Sequence, residues 1–321
     1  MCGAMKYFSH AALAAAWALP VLIFSLFMFP FFTSGDQEFY RKFYSGVSDM
    51  SFVEGFVFYK KTLGTSEAGY FLLTYLFSAV LQKDVLFSLL NFVLFQQIFS
   101  WLLRHDVSRV LFPMVYFNFY LIVLAFSAER LKLSLLFFLI AYSASGLWKI
   151  LFLAVSVMSH VQVLIILLSA QVRRFNTVLS EFSQGRIGYG FVSLMFLIML
   201  MLGMLFVLRE HILSKFLVYY DLWGGGGAIL KPLFFTLLTV CYAGDKKLEA
   251  LLASLPLVLC AYLIGGERIV IFSYFIFVFY ALQVNRGINV GIVITGLYFF
   301  YKGLLFVSNV VYFGDGFASI T

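Results

Sequence analysis

Arg130, His160 and Arg268 are the residues of this chain whose type and position most need a chemical explanation. Each falls where an apolar run begins or breaks, in Ala128-Glu129-Arg130-Leu131, Ser159-His160 and Glu267-Arg268. If those runs are helices that enter a membrane from its outer face, each cation sits at a helix N-terminus, where the aligned peptide dipoles disfavour positive charge. The conflict disappears when an anion binds, because free backbone N–H groups and a forked guanidinium then point at it together. The expected chemistry is recognition of a phosphate or diphosphate on the outer side. A plainer alternative pairs Arg130 with Glu129 and Arg268 with Glu267, although adjacent helical residues point apart and make poor partners.

Two carboxylates accompany these cations. Asp36 opens an amphipathic stretch and reads equally as a reactive group or as the N-cap of that helix. Glu67 lies in the first turn of the next segment, where a carboxylate is stabilised in any case. Asp36, Glu67 and His160 are therefore the three candidates for a general base, with no order among them. Arg209 and His211 close an outward-running helix, where cations are favoured, and Arg209 is a further candidate for anion contact. Tyr219, Tyr220 and the run Gly224 to Gly227 read as a flexible external loop.

The elements that hold these residues follow from composition. Of 321 residues 63% are hydrophobic and only 12% charged, with a mean hydropathy of +0.99. A soluble domain carries about 25% charged residues, so a water-facing globule is excluded. The apolar runs are continuous rather than alternating at period two, and each is close to the roughly 20 residues a helix needs to cross a bilayer. The expectation is an all-α, polytopic transmembrane bundle of about 10–11 spans, with 1–321 forming one membrane domain. Net charge is +7, but the basic residues are scattered between the runs. That distribution suits topology control and anionic lipid, and excludes nucleic acid, which requires a concentrated patch. Three cysteines without a CxxC pair give neither a disulfide framework nor a zinc site.

Residues 11–32 read as a retained signal anchor. The segment 33–66 follows as an extracytoplasmic connection in which Phe39, Tyr40, Phe43, Tyr44 and Val47 share one stripe, the pattern of a helix lying on the outer membrane surface. Residues 67–308 form the bundle core. Two threadings of that core compete. In one, 68–81 crosses and 148–170 is a single span. In the other, 68–81 dips in and returns, while 148–170 breaks at Ser159-His160. The positive-inside rule does not separate them. The second is preferred, because 68–81 is short for a crossing and an unbroken span would leave His160 at the bilayer centre.

The order of these features resembles the EpsG family of Wzy-type polysaccharide polymerases. Gly35-Asp36 followed by Tyr40 and Tyr44 is similar to the opening motif of the family. The stretch Ser66-Glu67-Ala68-Gly69-Tyr70-Phe71-Leu72-Leu73 is similar to its acidic segment, and Arg130, Val157-Met158-Ser159-His160 and Glu267-Arg268 follow in matching order. Ala128-Glu129 and Gln162 depart from the pattern. The resemblance implies a GT-C-like helical fold in a bacterial inner membrane, with the active site facing the periplasm. It implies metal- and cofactor-independent transfer of a growing glycan from undecaprenyl diphosphate to a lipid-linked repeat unit, as in O-antigen, capsule or exopolysaccharide synthesis. In that scheme Arg130, Arg268 and Arg209 hold the diphosphate, and Asp36, Glu67 or His160 serves the acceptor hydroxyl. Tyr40, Tyr70 and Tyr219 contact sugar, and a chain-length regulator and a flippase are the expected partners. Two other classes compete. A lipid-linked-sugar flippase or transporter would also carry intramembrane arginine, but typically shows duplicated halves, which this sequence lacks. A membrane O-acyltransferase could use His160 as its base.

Overall fold

The computed structural model of the chain describes residues 2–186, 188, 190–192, 195, 198–199, 203, 206, 209, 213 and 226–318; for 2–9, 173–177, 179–180, 263–264 and 267–268 it describes the backbone alone. Every regular element among the described residues is helical. In chain order the helices are α1 (Cys2–Met28), α2 (Asp36–Val47), α3 (Phe52–Leu63), α4 (Ala68–Ser78), α5 (Lys83–Arg104), α6 (Phe112–Tyr116), α7 (Phe119–Phe126), α8 (Glu129–Ser143), α9 (Gly146–Ser159), α10 (Val163–Ser183), α11 (Leu230–Tyr242), α12 (Lys247–Ile264), α13 (Gly266–Ala281) and α14 (Val290–Phe313).

Among the described residues, three helical stretches are long and apolar enough to cross a membrane: His10–Phe31, Lys83–Arg104 and Asn285–Phe313. A fourth candidate is the pair Arg109–Tyr116 and Phe119–Phe126, bent by 49°. The chain is thus helical and suited to a membrane, but this count is well below the ten or eleven spans expected. Part of the difference lies in apolar runs cut into pieces of 10–17 residues, such as Ala68–Ser78, Gly146–Ser159 and Ile269–Ala281, and the apolar stretch 190–208 lies largely outside the described residues. The apolar run 110–127 breaks at Phe117-Asn118, where the Asn118 side chain accepts from the N–H groups of Tyr120 and Leu121 and so starts a new helix. Gly303 of α14 packs against this break; a Cβ there would run into the Phe117 carbonyl oxygen and lie 2.8 Å from its carbon.

The chain folds as two compact units, Met1–Val163 with Asn285–Thr321, and Leu164–Val284. In the first, α1 packs along α5. Ala14, Ala18, Val21 and Ser25 of α1 are all buried. They recur every three or four residues, so a stripe of small side chains lets the two backbones approach. Next comes α2, whose N-cap is Gly35 at φ +64°. The N–H groups of Thr33 and Ser34 donate to the Gly314 carbonyl at 3.1 and 2.9 Å, tying the start of α2 to the end of α14. Arg41 fixes α2 further: Nε donates to the Phe32 carbonyl at 3.0 Å, and the guanidinium pairs with Asp84 at the start of α5. A capping box between Ser51 and Glu54 starts α3, and Gly64 in the left-handed region ends it.

The stripe on α2 is buried against protein. Tyr40, Phe43, Tyr44 and Val47 are all enclosed, whereas Phe39, expected on the same stripe, is half-exposed. The tyrosine and phenylalanine rings of this stripe meet Phe58, Tyr59, Tyr70 and Phe87. The apolar periodicity was thus read correctly as amphipathic, but its apolar face covers the α3–α5 helices.

Helices α8 and α9 form a hairpin that turns at Ala144-Ser145-Gly146. Each of Ser134 and Ser156 donates its hydroxyl to the other's carbonyl at 2.7 Å. This stitching brings the end of α9 level with the beginning of α8. The second unit contains α11, α12 and α13; α11 packs on α13 through Phe235, Tyr242, Tyr274 and Phe277. There the Tyr280 hydroxyl donates to Glu249 at 3.1 Å.

Candidate functional site

The start of α8 is the organising point. Glu129 and Arg130 are its first two residues, and about 100° separates consecutive side chains around a helix. They therefore serve two different clusters. Glu129, fully buried, accepts from Lys83 Nζ at 2.5 Å and Gln37 Nε2 at 2.8 Å through Oε1, and from the Tyr70 hydroxyl at 2.7 Å through Oε2. Lys83 also donates to Gln37 Oε1 at 2.6 Å. One turn further along α8, Lys132 is fully buried and donates to Asn91 Oδ1 and the Ala125 carbonyl, each at 2.8 Å. Asn91 in turn donates to Ser25 at 3.0 Å. Both ammonium groups lie over the rings of Phe29 and Phe87 at 4.8–5.6 Å. Removing one partner from such a set leaves an uncompensated buried charge. The cluster welds α2, α4, α5 and α8 together.

Arg130 points the other way, into the second cluster. Its Nη1 donates to Glu67 Oε2 at 2.8 Å and its Nε to the Tyr40 hydroxyl at 3.3 Å. Glu67 Oε1 faces His160 Nδ1 at 2.6 Å and accepts the Val161 N–H at 3.3 Å. A carboxylate only accepts, so His160 carries a proton on Nδ1. His160 Nε2 lies 3.1 Å from Gln162 Oε1. That contact is made either by an imidazolium N–H donating to the amide oxygen, or by the Gln162 amide turned to donate to a neutral ring. Glu67 and His160 are buried, while 18% of the Arg130 side chain is exposed.

Local structure explains why these three groups meet. Glu67 is the N-cap of α4. His160 ends α9, and Val161 and Gln162 form the break before α10. The approach of α4 to α9 depends on Gly69, whose added Cβ would lie 2.5 Å from Ser159 Oγ, 2.8 Å from Ser159 N and 2.9 Å from Met158 C. Real Cβ atoms do not come so close to backbone, so a larger residue would push α4 away and carry Glu67 off His160.

The structure thus brings together Glu67, Arg130, His160 and Tyr40 and leaves other candidates elsewhere. Arg130 and His160 are not bare cations at helix tips; both are paired with Glu67, which removes the electrostatic conflict expected of them. Glu129 is the partner of Lys83, not of Arg130. Asp36 is exposed on the first turn of α2, and the cap there is Gly35. Tyr70 is fully buried and holds Glu129, and Tyr40 is buried against Arg130, so neither presents a face for stacking a sugar. In the second unit, Arg209 is exposed with its guanidinium 4.6 Å from the centre of the Phe206 ring. Arg268 is the third residue of α13, its side chain outside those described, and Tyr219 lies outside the described residues altogether. The sequence reading missed Gln37, Lys83, Asn91 and Lys132. For Asn91 and Lys132 the signal was a polar side chain between apolar neighbours; Gln37 and Lys83 stand in polar connections and carried none. Among the described residues no group of three or more His, Cys, Asp and Glu could hold a metal ion. No family model, curated protein or solved structure matches this chain.

Proposed function

We propose that the chain is a membrane-embedded glycan polymerase of the kind its motifs resemble, transferring a growing saccharide from undecaprenyl diphosphate to a lipid-linked repeat unit. The observation that supports this reading is one buried carboxylate, Glu67, bracing a partly exposed arginine and a histidine at the junction of α4, α8 and α9. Arg130 donates through Nε and Nη1 alone, so three of its five N–H groups are unspent among the described residues. They suit a diphosphate leaving group, whose developing charge fixed donors stabilise. Glu67 already accepts three hydrogen bonds and acts as a positioning residue. In the neutral-ring arrangement, with Nδ1–H held by Glu67 and Nε2 released from Gln162, His160 is then the base: the acceptor hydroxyl attacks the anomeric carbon, its proton passes to Nε2, and the bond to the diphosphate breaks.

The test uses detergent-purified protein and a lipid-linked repeat unit. Wild type lengthens the glycan, whereas Arg130→Ala and Glu67→Gln give no ladder while retaining a folded, monodisperse protein. Wild-type ladders in both variants overturn the assignment. Movement of the lipid-linked sugar across vesicles without bond formation identifies a transporter, and acetylated sugar an acyltransferase.

A further inference from the structure

Exposed cations of the first unit gather at one end of it. Helix α1 runs antiparallel to α5, with Trp17 packed on Phe99 and Asn91 donating to Ser25. Helix α8 starts beside the first residue of α5, through Lys83 and Glu129, and finishes beside its last, where Arg104 Nη2 donates to Ser143 at 3.0 Å. The α8–α9 turn follows at that far end, and Lys149 lies in the first turn of α9. The Ser108 N–H donates to the Arg286 carbonyl at 2.9 Å, and Arg286 Nε to the Asp106 carbonyl at 3.0 Å. Arg109 and Arg286 therefore share this end with Arg104 and Lys149. Arg109, Lys149 and Arg286 are exposed and Arg104 is part-exposed. Among the described residues of this unit, Asp106 is the carboxylate that accompanies them. Aromatic rings rim the same end: Trp101 stacks on His105, and Tyr142 and Trp148 are 55% and 65% exposed. Such amphipathic rings favour the level of lipid headgroups.

The opposite end differs. There Lys83, Arg130 and Lys132 are held by Glu129, Glu67 and Asn91, and Arg41 by Asp84. The exposed Lys42, Lys60 and Lys61 share that surface with exposed Asp36, Glu38, Asp49 and Glu54. The comparison of cations that was even in the sequence is therefore uneven in the fold, because one set is enclosed and paired. Helix α5, 22 residues long, separates the two ends by roughly 30 Å, the thickness of a bilayer's hydrocarbon core. We propose that the end carrying Arg104, Arg109, Lys149 and Arg286 docks on the anionic phospholipid headgroups of the cytoplasmic leaflet, with Tyr142 and Trp148 at the edge of the acyl chains. Each basic residue facing such headgroups strengthens binding about fivefold, and an excess of exposed Arg and Lys marks the cytoplasmic side of a membrane protein. The cluster of Glu67, Arg130 and His160, at the start of α8, then belongs to the other side of the bilayer. The assignment holds whether or not that cluster transfers glycan.

The experiment places the full chain in phosphatidylcholine vesicles and adds phosphatidylglycerol or phosphatidylcholine with brominated acyl chains, reading the quenching of tryptophan fluorescence. Wild type is quenched by brominated phosphatidylglycerol at about tenfold lower mole fraction than by brominated phosphatidylcholine. Arg109→Gln combined with Lys149→Gln removes most of that preference and unfolds in pure phosphatidylcholine at the wild-type temperature. Lys42→Gln combined with Lys61→Gln takes the same charge from the other end and leaves the preference intact. Equal quenching of wild type by the two lipids overturns the proposal. So does equal loss in the two double variants, which marks a general charge effect, and so does earlier unfolding of the Arg109 and Lys149 variant, which shows that those side chains serve the fold. Orientation has its own readout. In right-side-out membrane vesicles an impermeant maleimide labels Asp49→Cys, and labels Ser145→Cys only once the vesicles are opened. Labelling of Ser145→Cys in sealed vesicles overturns the cytoplasmic placement of this end.

Discussion

Gly69→Ala tests the geometry of the site most directly, because one methyl group separates the structural argument from its opposite. In isolation, alanine at a helical position is favoured over glycine by about 1 kcal/mol. If α4 were free of α9, the substitution would therefore stabilise the protein. The structure predicts the contrary. The new Cβ would sit 2.5 Å from Ser159 Oγ, 2.8 Å from Ser159 N and 2.9 Å from Met158 C, and two of these atoms are backbone that no rotamer can move. Overpacking of this kind costs about 1–3 kcal/mol, so the net effect is a loss of up to about 2 kcal/mol. Relief requires α4 to shift by several tenths of an ångström, which stretches the 2.6 Å Glu67–His160 contact and the 3.3 Å bond from the Val161 N–H. Thermal unfolding in detergent reads the stability and the glycan ladder reads the site. Adding Ser159→Gly removes the hydroxyl contact but not the backbone ones, so it rescues only part of the loss. A Gly69→Ala protein that unfolds at or above the wild-type temperature refutes the close approach of α4 and α9, and with it the positioning of Glu67.

Two further expectations follow from other parts of the fold. Glu129→Gln keeps the shape of the buried cluster but strips the countercharge from Lys83, so it should destabilise by about 3–5 kcal/mol; Lys83→Met in the same chain should recover part of that loss, both read by thermal unfolding in detergent. At the start of α3, hydrogen bonds from the Ser51 hydroxyl and N–H to Glu54 hold its carboxyl below the usual glutamate range. A lowered folded-state value means the box contributes above that range and is lost as pH falls through it. Exchange of the Ser51 amide should therefore accelerate, relative to its intrinsic rate, as pH drops below the usual glutamate range, with Glu54→Ala showing no such change.

Much of this architecture was legible in the residues, and the rest was not for definite reasons. Continuous apolar runs require helices, and a histidine in the middle of 148–170 requires a break, which α9 and α10 show at His160 to Gln162. The 3.6-residue stripe of α2 was equally clear. Its partner was not, since periodicity marks an apolar face without saying whether lipid or protein covers it. The charge pairs were hidden for a similar reason. Lys83 and Lys132 read as topology-setting cations between spans and Arg130 as an anion-binding group, whereas Lys83 lies 46 residues from Glu129 and Arg130 63 residues from Glu67. Only the fold brings such distant groups together. Neighbouring Glu129 and Arg130 illustrate the point, because adjacency offered a pairing that helix geometry forbids. The bend at Asn118 was not legible either, since a single polar cap divides an apolar run whose length alone suggests one straight helix.

The tie between Thr33, Ser34 and the Gly314 carbonyl bears on the order in which the protein is made. The ribosome delivers α2 some 270 residues before the glycine that fastens its first turn, so this tie forms after those from α2 to Phe32, Asp84 and Glu129. Placement of α14 is then the step that closes the start of α2. A nascent chain arrested ahead of it should already bury the α1–α5 seam while leaving the α2 start open to proteolysis.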